Sequence, residues 1–497
     1  MTLKDTNRTI ALIVFIAMGA FFVRLPGLDK RPMHGDEANQ AFKTGLLLEQ
    51  GRYIYDPHDH HGPTLYYLTL LPAFLTGQHT FEDTTEITYR IVPVFFGAAL
   101  ILLSLLLRPA LPTTALVASA LLIALSPAFV FYSRYYIQET LLVFFTAAAL
   151  GFGYQYLRAP SLKFAIALGA SLSLMHATKE TAIIAYIAMA LSLGLVYLQY
   201  RNTEACKQIK KSITPRHIAA FIITALAINI LLYTSFFTNP RGPLDSILTY
   251  GNYLKRADGA GLHDKPWWYY LQLLVYTSKG PGYWFSEAFP LILAIGAVFV
   301  TIAKSVKKES HPLTLFLTVY ALTMLTIYSL IPYKTPWTVL SLYHAGILLA
   351  GIAIAQLFTT FKGGPARSFL SLLLATGLAH LAWQSYITNH VIPADPHNPY
   401  VYAHTSSAHL QLVQRVRDIR AVHPSPDSMR IHVIQPDRDY WPLPWYLRNI
   451  DQVGFFDSVP ESPNADIIIA APSTRETLAE ELQDDYTKET GGLRPSV

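Results

Sequence analysis

The chain has 497 residues, of which 52% are hydrophobic and 14% charged, and its net charge is +5. A soluble domain carries about a quarter charged residues, so an ordinary soluble enzyme is excluded, and the small positive excess, without a dense basic cluster, gives no sign of a nucleic-acid partner. The single cysteine, Cys206, rules out an intrachain disulfide and a cysteine-based zinc site.

In chain order, apolar runs of about 18–22 residues, each able to cross roughly 30 Å of hydrocarbon, predict about eleven spans: near 9–27, 87–107, 112–132, 139–157, 162–177, 180–200, 217–237, 284–303, 312–331, 337–359 and 368–386. The first run has Lys4 and Arg8 before it and Arg24-Leu25-Pro26 after it, with no small-residue cleavage site, which predicts an uncleaved helix. A shorter apolar segment near 63–77 predicts a helix lying along the interface. With a cytoplasmic N-terminus, the inside connections hold Arg108, then Arg158 and Lys163, then Arg201, Lys207, Lys210, Lys211 and Arg216. Lys304, Lys307 and Lys308 follow, then Lys362 and Arg367. Every inside connection is then short and basic, as the positive-inside rule requires. Loop 28–86, loop 238–283 and the tail 387–497 fall outside. Residues 1–386 therefore read as an all-α polytopic membrane domain in a plasma (inner) membrane. In the tail, Leu412, Val413, Val416 and Ile419 recur at helical spacing, and the runs Arg430–Ile434 and Asp466–Ala471 read as short buried strands. That pattern predicts a small extracytoplasmic α/β domain.

Five polar groups interrupt this apolar chain. The first is His34-Gly35-Asp36-Glu37-Ala38, where two carboxylates stand at the exit of the first span. An ionised carboxylate there can take a proton from an incoming hydroxyl or hold a divalent metal, although Asp36 also fits a helix cap with Glu37 in the first turn. The second is Asp56-Pro57-His58-Asp59-His60-His61-Gly62-Pro63, whose imidazoles and carboxylates are metal-ligand types without a compact motif. It reads as a substrate or structural loop, with His60 and His61 near the site and Asp36 and His61 as candidate ligands for Mg, Mn or Zn. The third, Tyr132 to Glu139, is a tight turn that brings Arg134 and Glu139 to the same membrane face as Asp36. The fourth, His176-Ala177-Thr178-Lys179-Glu180, puts Lys179 at headgroup depth, where it can hold a lipid phosphate or neutralise Glu180. The fifth, Tyr333-Lys334-Thr335-Pro336-Trp337, sets a lysine among aromatic rings as a seat for one phosphate or as a snorkelling side chain. In the tail, Trp441-Pro442-Leu443-Pro444-Trp445-Tyr446 offers aromatic faces to a sugar or headgroup, or docks the tail on the membrane domain.

All five groups fall on one side of a topology derived without them. Acids, histidines and cations gathered at one membrane face suit transfer from a lipid-linked phosphate donor, with cations stabilising the leaving group. The layout resembles the GT-C glycosyltransferases, in particular protein O-mannosyltransferases and aminoarabinose lipid A transferases. His34-Gly35-Asp36-Glu37-Ala38, His60-His61-Gly62-Pro63, Tyr333 to Trp337 and Trp441 to Tyr446 further resemble a family of flippase-activity-associated membrane proteins. The resemblance implies a polyprenyl-monophosphate sugar donor, inversion at the anomeric carbon and an outside active site. It also implies Asp36 as base or metal ligand, Glu139 as a second acid and Lys334 as a donor-phosphate contact. The resulting expectation is an enzyme in which Asp36 deprotonates the acceptor and Arg134, Lys179 and Lys334 neutralise the phosphate. Glu37 and Glu139 would shape the catalytic site, and His34, His60, His61, Tyr333, Trp337, Trp441 and Tyr446 would line the substrate. The rival reading is a non-catalytic handler of lipid-linked sugar, which needs the cations but not the carboxylates. A secondary transporter is disfavoured, because its polar groups would lie at the bilayer midplane.

Overall fold

In the computed structural model, which describes residues 3–59, 61–256, 263–482 and 486–489, helices stand at all the predicted spans. They are Leu3–Arg24, Glu86–Leu103, Thr113–Leu125, Glu139–Arg158, Leu162–His176, Ala182–Tyr200, Pro215–Tyr233, Ala288–Val306, Pro312–Leu330, Val339–Thr360 and Gly364–Tyr386. Among the described residues, eight helices are long and apolar enough to cross a membrane. Thr113–Leu125 and Leu162–His176 are apolar but shorter, as is Thr64–Leu75, and Gly364–Tyr386 is long but less apolar. Val339–Thr360 is the central element, buried along nearly all its length against Thr113–Leu125 and Ala288–Val306.

The predicted span near 112–132 is broken. Pro127 has no N–H to donate and pushes the residue before it out of helical geometry. Ser126 accordingly turns to ψ 122° and its hydroxyl caps the new helix Pro127–Tyr132 by accepting from Phe129 N at 3.4 Å. The break puts residues 133–138 across the end of the bundle, against the first loop.

The long first loop forms two helices, Gly35–Gln50 and Thr64–Leu75. The second is stitched to the turn after Leu162–His176. Thr64 donates to the Ala177 carbonyl from its backbone N–H at 3.0 Å and from its hydroxyl at 2.7 Å. Gly62 is required by that approach, since a Cβ there would lie 2.2 Å from the same oxygen.

The tail contains the helix Ser407–Val422 and three short strands, β1 Ile431–Ile434, β2 Val453–Phe456 and β3 Ile467–Ala470. They form a parallel sheet in the order β2-β1-β3, with Ile431 opposite both Val453 and Ile467. Val416, Met429, Ile431, Val433 and Ile469 make its core. The strand β2 escaped sequence reading because it is four residues long and includes Gly454.

The aromatic run of the tail fastens it to the membrane domain. Trp445 is fully buried and donates from Nε1 to Glu86 Oε1 at 3.0 Å, while the Arg448 guanidinium lies 3.7 Å from its ring centroid. Tyr446 accepts from Met33 N at 2.8 Å, and the Trp441 ring packs edge-on to Phe42. Trp441 and Tyr446, expected to line a substrate, both contact loop 28–86 and so help anchor the tail.

Gly62→Ala is expected to destabilise the fold by about 1–3 kcal/mol, since the added methyl meets backbone rather than a side chain that can yield. Thermal unfolding in detergent measures this, and an unchanged melting temperature would contradict the close approach.

Candidate active site

Asp36 and Glu37 are adjacent, yet the structure sends them to opposite environments. His34 caps the helix Gly35–Gln50: its Nδ1 accepts from Asp36 N at 2.9 Å, and Glu37 Oε2 accepts from His34 N at 3.1 Å. With 3.6 residues per turn, neighbours on a helix diverge by about 100°. Glu37 points inward and is fully buried. It accepts from Arg31 at 3.1 Å, from Arg90 Nε at 2.8 Å and Nη2 at 2.7 Å, and from Tyr136 N at 2.9 Å. Burial alone would raise its carboxyl, but Arg31 and Arg90 together hold it well below the usual carboxylate range. Asp36 points outward, with its side chain about half exposed and 3.9 Å from His34 Nδ1.

Aromatic and imidazole rings from distant segments surround His34 and Asp36. The His34 ring stacks on His404 at 5.6 Å and meets Tyr135 at 5.4 Å and Trp337 at 6.0 Å between centroids. Its Nε2 lies 3.1 Å from the Tyr402 carbonyl. The Tyr402 hydroxyl is 2.6 Å from His263 Nδ1, and His263 packs against Tyr333. Lys265 brings its ammonium to 5.6 Å from the Tyr402 ring centroid. Lys279 reaches the same tail segment and donates to Val401 O at 3.2 Å. Burial, reinforced by Arg31 and His34, pushes the His404 imidazole well below its ordinary value. Burial also lowers His263, with Asp36 opposing the shift.

Several cations expected to be available are already committed. Lys179 and Glu139 form a buried ion pair: burial by itself would lower the lysine, but Glu139 raises it above its ordinary value. Glu180 pairs with His61 Nδ1 at 2.9 Å and accepts from Tyr55 at 3.1 Å, so His61 secures the second interfacial helix. His60 lies outside the described residues. Lys334 is buried and donates to the carbonyls of Ile331 and Lys265, which shapes the turn. Arg134 donates to Asn389 O at 2.7 Å and Pro26 O at 2.5 Å, behind Arg31 rather than beside Asp36. Lys43, on the interfacial helix, pairs with Asp59 at 3.0 Å.

No group of three His, Cys, Asp or Glu side chains suited to a metal ion occurs among the described residues. Of the expected ligands Asp36 and His61, His61 engages Glu180 through Nδ1. His263, Lys265, Lys279, Tyr402 and His404 were not singled out from sequence. The available signal was that Lys265 and Lys279 are lysines in a loop where the positive-inside rule disfavours them.

A protein-family model described as dolichyl-phosphate-mannose-protein mannosyltransferase matches residues 66–240. No curated protein matches the chain. Among solved structures, ArnT from Cupriavidus metallidurans in the apo state is similar at a TM-score of 0.60 and 15% identity, over 95% of this chain and 94% of that one. The same protein bound to undecaprenyl phosphate is similar at 0.57 and 15%, over the same shares. The oligosaccharyltransferase AglB from Archaeoglobus fulgidus, in complex with an inhibitory peptide and a dolichol-phosphate, is similar at 0.60 and 12%, over 96% of this chain and 68% of that one.

Glu37→Gln leaves Arg31 and Arg90 buried without their anion, and an expected loss of about 3–5 kcal/mol follows. Because the folded carboxyl titrates below the unfolded one, that stabilisation is present above the ordinary glutamate pKa of about 4.3 and fades as pH falls below it. Melting curves of both proteins should therefore be far apart at neutral pH and converge in acid; coincident curves at pH 7 would refute the clamp.

Proposed function

We propose that this chain, whose fold is that of the GT-C glycosyltransferases, is an integral membrane glycosyltransferase. It moves a sugar from a polyprenyl-monophosphate donor to an acceptor hydroxyl on the extracytoplasmic side. The observation that carries this reading is the exposed Asp36 carboxylate, fixed beside an aromatic, cation-bearing wall at one end of a helical bundle. The undecaprenyl phosphate on ArnT and the dolichol-phosphate on AglB support the donor class. The basic connections at the other end support a cytoplasmic N-terminus and a plasma-membrane location.

In the reaction, the acceptor oxygen bonds to the anomeric carbon as the bond from that carbon to the phosphate oxygen breaks. Polyprenyl phosphate leaves with the electron pair, Asp36 takes the acceptor proton, and the anomeric centre inverts. Lys265, half-buried and stacked on Tyr402, faces the same wall as Asp36 and neutralises the leaving phosphate, with Lys279 behind it. Trp337, Tyr333 and Tyr402 give the sugar its aromatic faces. Glu37, Lys179 and Lys334 act as positioning residues.

Asp36→Asn is expected to lower transfer by about 10²–10⁴-fold, the range for removal of a general base. Purified protein in liposomes, offered a panel of radiolabelled polyprenyl-monophosphate sugars and assayed for free polyprenyl phosphate, provides the measurement. Full turnover by the variant would remove Asp36 from the role. Donor binding without consumption by wild type would instead favour lipid handling. Lys265→Ala should raise the donor KM about tenfold or more with the acceptor KM unchanged, as loss of one charge-assisted contact requires.

A further inference from the structure

Behind Glu37, on the side away from Asp36, four arginines converge. Arg24, Arg31, Arg90 and Arg134 are 0%, 6%, 1% and 6% exposed. Among the described residues, Glu37 is the one carboxylate within salt-bridge distance of any of them. The others are satisfied by neutral groups: Arg24 donates to Ser133 Oγ at 2.7 Å and to the Ile123 and Ala124 carbonyls, and Arg134 to Asn389 and Pro26. Carbonyl dipoles solvate a guanidinium but do not cancel its charge, and an uncompensated buried charge is costly at membrane depth.

Three of these arginines border one cleft. It is lined by Gly27, Leu28, Arg31, Arg90, Phe131, Arg134, Asn389 and Pro393, and leaves about 10 Å³ in which the centre of a water-sized sphere can move. Two donors of the residues that line it, Arg31 Nε and Arg134 Nε, are buried and have no hydrogen-bond partner. The floor is shaped by two irregular backbones. Gly27 takes φ 67° after the first span, and a π turn, Ile387–Val391, widens the end of Gly364–Tyr386 where Asn389 sits. Such π turns are frequent at functional sites. Burial, and then the neighbouring Arg31, Arg90 and Arg24, lower the Arg134 guanidinium to about 9, which reports the same unbalanced charge.

We propose that this cleft is a binding site for a chloride-sized inorganic anion, held by the free Nε–H groups of Arg31 and Arg134 with Arg90 as a third wall. The ion offsets part of the arginine surplus and locks the end of the first span to the end of Gly364–Tyr386. Neither Asp36 nor Lys265 lines the cleft, so it is separate from the proposed donor site, and its volume is too small for a phosphate ester.

The test is thermal unfolding of the full chain in detergent, in sodium chloride against sodium gluconate at equal ionic strength. Wild type should melt on the order of a few °C higher in chloride, saturably, and bromide should substitute. Arg134→Gln should abolish the difference. Crystals of wild type grown in bromide should show an anomalous peak between Arg31 and Arg134, which tests the site even if the variant does not fold. Equal melting in both salts with no peak would overturn the proposal. So would a chloride effect undiminished in a folded Arg134→Gln, or stabilisation by phosphatidylglycerol in place of halide.

Discussion

The whole active end of this molecule hangs on one buried carboxylate. Glu37 joins four pieces of chain: the first loop through Arg31, the span Glu86–Leu103 through Arg90, the turn before Glu139 through the Tyr136 N–H, and its own helix cap through His34. A carboxylate without water is costly unless every lone pair is matched, and here each oxygen is. Arg90 extends the constraint by donating to the carbonyls of Leu28, Arg31 and Pro32 at 2.5, 2.9 and 3.1 Å. The guanidinium fork has fixed geometry, so a single path of the loop satisfies it. Asp36 is held in position by its neighbour.

The tail is a wall of this site rather than an attached module. Thr405 donates to Met33 O at 2.7 Å, Tyr402 presents its carbonyl to His34, and Tyr400 donates to the buried Glu287 at 2.7 Å. Glu287 also accepts from Ser126 and from Ala128 N, the start of the helix that follows the Pro127 break. The proline break, the loop before Ala288–Val306 and the tail are therefore tied through one side chain. Rigid support of this kind is what lets a site hold reacting groups in register.

What the sequence made legible follows from the range of the forces involved. Apolar runs mark helices because the bilayer dimension is written into segment length, and the helix of the tail and its strands β1 and β3 could be read from local pattern. Turn chemistry is less legible: the sequence points to Asp36 as the cap that His34 supplies, and the span near 112–132 reads through the break at Pro127. Pairing was not legible. Lys179 with Glu139, Glu180 with His61 and Lys334 with two carbonyls join residues whose nearness is set by packing, so each cation looked available when read alone. The Asp-Glu pair shows the same limit. Adjacent in sequence and chemically alike, the two acids are separated by helix geometry into a buried strut and an exposed carboxylate.

That separation decides which side chains are left to meet a substrate. A group can act on a substrate only if the fold has not already spent it. Of the cations gathered at this end, Lys43, Lys179, Lys334 and Arg90 are engaged by carboxylates or carbonyls, and Arg24 and Arg134 are turned away behind Glu37. Of the acids, Glu37, Glu139, Glu180 and Glu287 are buried and bonded. Asp36 remains exposed beside the aromatic wall, and Lys265 is held there by a ring face rather than by a carboxylate. An acid able to take a proton and a cation able to meet a phosphate are what the proposed transfer requires, and Asp36 and Lys265 are outside the buried ion pairs that hold the other acids and cations of this end.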